Sequence, residues 1–286
     1  MSTQLERLRD QIHQIEGRTK TFAALKQRES TIKRWQFGDE AIDACLPEGA
    51  LSYDSVHDFS PDHSTNAAFL SLLAALLIVR LPRKGRILWC TTLQDARENG
   101  VLYGPGLRML GLDPGRMIIA HLKKERDLAF VLEEATRAKA LAAVVGEGPP
   151  LSFTATRRLV LAAQESGTPC LTLNTGRTVS ASAATTRWRV APIVGPPNPE
   201  DPAGPGFPAW SLTLTRARGS APFSCNVCWN DETHSFNLVS PSRDGALLPR
   251  EAQSGQILPY DQRGNPQRRS SLSTQTAGRG GHSQAS

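Results

Sequence analysis

Apolar and polar positions change period several times along this chain, and each change marks an element. In residues 3–30, Leu5, Leu8, Ile12 and Ile15 recur at helical spacing with charged residues between them, which predicts a helix with one apolar stripe. That stripe precedes the main domain, and it either docks on the chain's own core or pairs with a partner helix. Gly38 and Gly49 punctuate a short helical segment that Pro47 closes. Asp54 to Phe59 alternates like a strand, and a turn at 60–64 leads into an apolar helix at roughly 64–80, capped by Ser64. Strands are then predicted at 86–92, 117–120, 141–145 and 169–174, with helices at 103–112, 127–140 and 154–166. Leu128, Val131, Leu132 and Ala135 share one face of the second of these helices.

Strands alternating with helices imply βαβ units around a parallel sheet. Their continuous apolar character fits strands covered on both faces. After Asn174 the texture changes. Residues 175–186 are rich in Ser, Thr and Ala and predict a mobile loop with a short helix, and 187–190 read as a strand. Residues 192–208 hold seven prolines and three glycines and predict an irregular linker. The segments 210–218, 223–229 and 235–239 alternate and are separated by turns, an antiparallel meander at the sheet edge. The predicted organisation is an N-terminal helical extension (1–34), an α/β core (35–248) and a disordered tail (249–286).

Composition narrows the class. The 286 residues suffice for one α/β domain with appendages, and 39% hydrophobic with 21% charged residues fits a soluble globular chain. The longest apolar run, 67–79, is shorter than the roughly 20 residues a membrane span needs. The first residues mix charges and carry no apolar export signal, so a cytoplasmic location is expected. Five scattered cysteines are expected as reduced thiols. Cys225-x-x-Cys228 lacks a second pair, and positions three apart on a strand point to opposite faces, so a zinc site is not expected. Net charge is +6, which permits nucleic-acid contact without demanding it.

The candidate chemistry sits at 54–80, where strand, turn and helix would place a phosphate-binding loop. Such a loop needs glycines whose backbone amides close on phosphates, a lysine for the β- and γ-phosphates, and a hydroxyl for Mg²⁺. The segment reads Ser60-Pro61-Asp62-His63-Ser64-Thr65-Asn66-Ala67. Here the chain resembles the RecA recombinase family. The lead-in Phe37-Gly38…Ile42-Asp43…Leu46-Pro47…Gly49-Ala50-Leu51 has the shape of that family's approach to its first strand. Pro61, Asp62 and Ser64 keep the character of the family's loop. Ser60 and Thr65 replace its two glycines, Asn66 its lysine, and Ala67 its magnesium-binding hydroxyl. Where the family ends its second strand in a catalytic glutamate, this chain reads Cys90-Thr91-Thr92. Where the family has a magnesium-linked aspartate, Val145 runs into Gly146-Glu147, one position late. A charged hydrogen bond contributes about 1.5–3 kcal/mol, so losing lysine, hydroxyl and glycine turn together removes most triphosphate affinity. No catalytic residue, cofactor or metal is therefore expected, and 60–67 is read as a vestigial loop.

Within that superfamily the order and texture of residues 35–240 resemble the ImuA family of bacterial inducible mutagenesis. The late Leu212-Thr-Leu-Thr-Arg-Ala-Arg-Gly219 strand contributes to the resemblance, with Ser220 where a second glycine is usual. The resemblance implies a RecA-like, non-catalytic scaffold in SOS-induced error-prone translesion synthesis. Its implied partners are an inactive Y-family-like polymerase paralogue (ImuB) and an error-prone C-family DNA polymerase, with RecA as a further candidate. Three rivals stay open: an ATPase using unconventional residues such as Asp62 or Glu147, a DNA-damage-induced cell-division inhibitor of the SulA kind, and a regulator that caps or disassembles RecA filaments through the N-terminal helix with Leu8 and Ile12. Arg187, Arg189, Arg216 and Arg218 lie beside the loop that touches DNA in the RecA family. They are either weak phosphate contacts or ordinary surface arginines. His57, Asp58, Asp62 and His63 are read as sheet-end and loop polar groups, and Glu133 and Glu134 as an exposed helix face.

Overall fold

The computed structural model describes residues 34–62, 67–176, 180–199, 201, 204, 206–241, 247–249 and 258–259. The expected helix bearing Leu5, Leu8, Ile12 and Ile15 lies outside the described residues, as do loop residues His63, Ser64, Thr65 and Asn66.

The chain enters through β1 (Arg34–Trp35), α1 (Glu40–Ala44) and β2 (Leu51–Ser52), with β1 and β2 paired antiparallel. Asp39 caps α1 by accepting from the amides of Ala41 and Ile42. Buried Asp43 accepts from the amides of Phe37 (2.8 Å) and Gly38 (3.1 Å). Gly38 has φ +101°, and a Cβ there would come 2.7 Å from Ser235 Cβ. The lead-in motif is thus a clasp that fastens the entry segment to the domain.

Then follow β3 (Val56–Pro61), α2 (Ala68–Val79), β4 (Arg86–Thr92), α3 (Leu93–Asn99), α4 (Gly104–Met109), β5 (Met117–Leu122), α5 (Leu128–Arg137), β6 (Leu141–Gly148), α6 (Phe153–Ser166), β7 (Cys170–Asn174) and β8 (Thr186–Ile193). The C-terminal strands are β9 (Ala209–Ala217), β10 (Phe223–Asn230), β11 (Ser235–Pro241), β12 (Leu247–Pro249) and β13 (Leu258–Pro259). The main sheet runs β12-β11-β10-β9-β8-β3-β7-β6-β4-β5, with β13 paired to β10. From β8 to β5 every neighbour is parallel; from β8 to β12 every neighbour is antiparallel. The architecture is α/β, with a parallel part flanked by helices and an antiparallel C-terminal part.

Burial explains the continuous apolar strands. One face of the sheet packs on α2 through Phe59, Trp89, Val145, Leu171, Trp188 and Leu212. The other packs on α5 and α6 through Val56, Leu88, Val144, Leu132 and Leu159. Each fully buried Leu or Val contributes about 1.5–3 kcal/mol, so these layers dominate stability. Gly146 and Gly148 let α5 approach β6, since a Cβ on Gly148 would come 2.7 Å from Leu128 Cδ2 and one on Gly146 would overlap Leu132.

Several expectations need correction. The helix expected at 103–112 spans only Gly104–Met109, because Gly104, Pro105 and Gly106 weaken its start. A helix at Leu93–Asn99 went unread although Thr92 caps it by accepting from the Asp95 amide. Described residues 180–185 hold no helix. Glu133 is buried, not exposed, because Arg137 (2.8 Å) and Arg158 (2.9 Å) both pair with it. Leu258–Pro259, inside the span read as a tail, pair with Phe223 and Ser224.

Candidate functional site

The carboxyl ends of β3, β7, β6 and β4 converge beside the start of α2, where open α/β sheets place ligands. At the end of β3 the backbone is already committed. Pro61 has no N–H, and the Asp62 amide donates to the Val190 carbonyl at 2.8 Å. Arg189 donates to the Pro61 carbonyl at 3.1 Å. Ala67 is buried and puts no side-chain cap on α2. Of the eight loop residues singled out, the described four (Ser60, Pro61, Asp62, Ala67) present no side-chain cation.

Glu147 occupies the neighbouring strand end. It is buried, and its oxygens accept from Ser71 Oγ (2.9 Å) and Trp89 Nε1 (3.2 Å), with the Thr91 side chain a further hydrogen-bond partner. Burial raises its pKa, and the nearby Asp95 carboxylate adds to the rise. No salt bridge reaches Glu147 among the described residues. Ser71 is the single polar residue of α2, so its place in an otherwise apolar helix follows from this bond. Asp95, at the start of α3, accepts from the hydroxyls of Thr92 and Thr175. These carboxylates would repel a phosphate chain. Two unit charges 4 Å apart interact by about 1 kcal/mol in water and about 4 kcal/mol at an effective dielectric of 20.

On the opposite face of the sheet, Asp58 gathers a second network. Its Oδ1 accepts from Thr172 Oγ1 (2.7 Å) and Asn174 Nδ2 (2.8 Å), and its Oδ2 pairs with Arg187 Nε (3.3 Å). Asn174 also donates to Ser60 Oγ at 2.8 Å. His57 is fully buried rather than at a sheet end, held between Thr186 Oγ1 (2.8 Å) and the Ser52 carbonyl (2.9 Å). Desolvation pushes its pKa down to about 4, so it is a neutral interior group.

The four arginines do not form one free cationic patch. Arg187 is held by Asp58 and the Ser180 carbonyl (2.9 Å), Arg189 by Pro61, and Arg216 by the Ser182 carbonyl (3.1 Å). Arg218 is exposed. Arg187 and Arg216 lie opposite one another across β8 and β9. Cys225 faces the main core and Cys228 packs with Ala209 and Val239, so the two thiols point away from each other. Among the described residues there is no group of three side chains that could hold a metal ion. Among them, too, no helix is long and apolar enough to cross a membrane.

A cavity of about 270 Å³ opens between α2 and the segment 99–110, with Glu147 among its lining residues. Ala68, Leu72, Leu107 and Leu110 contribute its walls. Sequence reading singled out Glu147 but missed its partners Ser71 and Trp89, and missed Asp95 with Thr175. The hydroxyl in the middle of an apolar run was the available signal for Ser71.

No protein-family model matches the chain. It is 31% identical over 233 residues to the protein named Protein ImuA of Caulobacter vibrioides strain NA1000 / CB15N, which covers 76% of this chain and 93% of that relative. Protein ImuA of Caulobacter vibrioides strain ATCC 19089 / CIP 103742 / CB 15 matches with the same identity and coverage.

Proposed function

The chain belongs to the ImuA family, and from that premise we propose that it is a non-catalytic, RecA-like accessory protein of DNA-damage-induced translesion synthesis. It works through protein–protein contacts, with an inactive Y-family-like polymerase paralogue (ImuB) and an error-prone C-family DNA polymerase as its partners. One observation carries this reading. The strand end that would grip a triphosphate has its first backbone amide spent on β8, and the buried carboxylate at the end of β6, Glu147, is bound to Trp89 and Ser71.

Hydrolysis of a bound nucleotide needs a cation on the β- and γ-phosphates and a carboxylate free to order water or Mg²⁺. Asn66 and Ala67 stand in the sequence where the lysine and hydroxyl would be. With those groups absent, the α/β frame serves to present surfaces. Arg187 and Arg189 hold the end of β3 to β8 rather than reaching outward, so DNA contact is a secondary part of the reading and falls to Arg216 and Arg218.

The test is capture of the tagged full chain from cells after DNA damage, together with mutagenesis counts in a deletion strain. Co-purification of the polymerase paralogue and loss of damage-induced mutations are expected. Undiminished mutagenesis in the deletion strain overturns the reading.

A further inference from the structure

Glu147 combines three features that its role in the fold does not require. It is a carboxylate buried to 5% exposure, it lines an open cavity of about 270 Å³, and no cation pairs with it among the described residues. A buried charge without a counter-charge is costly, and such groups are ordinarily paired. Among the described residues, the charge acting on it from nearby is Asp95, which is repulsive. An isosteric neutral amide would accept from Trp89 and meet Ser71 equally well, so the carboxylate is more than a hydrogen-bond acceptor.

The missing counter-charge and the cavity walls define the ligand. Each carboxylate oxygen has two lone pairs; Ser71 and Trp89 take one on each, and the Thr91 side chain also hydrogen-bonds the carboxylate. Acceptor capacity remains beyond these three donors, and a guanidinium can meet it with an N–H while supplying the missing positive charge. Leu72, Leu107 and Leu110 suit the aliphatic stem of an arginine, and Tyr103, an aromatic of the kind that pairs with cations, lines the same cavity. Val101 is 66% and Tyr103 71% exposed at the cavity, and Met109 on the adjoining α4 is 85% exposed. Large exposed apolar groups around a pocket with one buried polar anchor are the anatomy of a protein-binding hot spot.

We propose that the cavity between α2 and residues 99–110 is a docking pocket for an arginine side chain of a partner protein, paired with Glu147 and surrounded by apolar partner residues on Val101, Tyr103 and Met109. The fold has converted the ligand face of the sheet from anion recognition to cation recognition. This inference rests on the protein–protein reading above and assigns it a surface.

Two measurements on the full chain test it. The first is independent of any partner. The Trp89 indole N–H donates to Glu147 and reports on its carboxylate. Titration with N-acetyl-arginine amide, followed by the indole resonance of Trp89, is expected to show a saturable shift in the millimolar range. N-acetyl-citrulline amide, neutral and of the same shape, is expected to give at least tenfold weaker binding, and Glu147→Gln to abolish the preference. The second is the dissociation constant for purified ImuB polymerase paralogue. Glu147→Gln and Tyr103→Ser are expected to weaken it at least tenfold, whereas Phe130→Ser, an exposed aromatic on α5 across the sheet, leaves it unchanged. Equal shifts with arginine and citrulline probes, or no shift, overturn the pocket. Paralogue binding that ignores Glu147 and Tyr103 also overturns it and leaves the scaffold reading standing. An arginine-specific Trp89 shift with no paralogue binding keeps the pocket and sinks the named partner.

Discussion

Replacing Asp58 with alanine would strip the acceptor from three donors at once. Thr172 and Asn174 lose their bonds of 2.7 and 2.8 Å, and Arg187 loses its carboxylate at 3.3 Å. The Asp58 side chain is 5% exposed and that of Arg187 21%, so the donors are left largely out of water. Removing one partner of a buried ion pair costs about 3–5 kcal/mol. Arg187 keeps the Ser180 carbonyl and some solvent, which places the expected loss near the lower end, about 3 kcal/mol. That is roughly a hundredfold in the folding equilibrium. Urea denaturation followed by tryptophan fluorescence reads it as a drop in midpoint with unchanged slope. A cycle of Asp58→Ala, Arg187→Ala and the double variant should be non-additive, because one network is being broken twice. A loss under about 1 kcal/mol, or additive losses, would show that β3, β7 and β8 are not tied through Asp58 and would return Arg187 to the set of free surface cations.

Three further outcomes are expected. Glu147 has its pKa raised in the folded state by burial, so the folded chain holds the proton more tightly than the unfolded chain, and wild-type stability falls as pH rises through that window. Glu147→Gln should therefore gain on wild type in urea midpoints as pH rises above the ordinary carboxylate value of 4.5, and a constant difference would contradict the burial account. His57 has its pKa lowered to about 4, so protons binding only the unfolded chain should erode stability as pH falls from about 6.5 toward 4. His57→Gln should flatten that part of the profile, and an unaltered profile would refute the assignment. Gly146→Ala places a methyl into Leu132 and should cost about 1–3 kcal/mol by thermal denaturation; an unchanged melting temperature would show that α5 yields freely.

The βαβ alternation was readable because strands buried on both faces carry unbroken apolar runs, as Leu141 to Val145 does between α2 and α5. The meander was readable for the converse reason, since β9 buries Leu212 and Leu214 and leaves Ser211 and Thr213 half-exposed. Short helix α3 was not, because its seven residues carry no apolar period and only the Thr92-x-x-Asp95 cap marks its start. The site divides in the same way. Missing loop groups are visible in a linear string, whereas the partners of Glu147 come from α2 and β4, tens of residues away. Arginines 187 and 189 look alike in sequence to free cations, and only the register of β8 against β3 turns them inward to Asp58 and Pro61.

The central claim is that this frame no longer holds a nucleotide. Isothermal titration of the full chain with Mg·ATP tests it most directly. No saturable binding at millimolar nucleotide is the predicted result, and micromolar affinity lost in Glu147→Gln would contradict the account and restore a nucleotide-driven function.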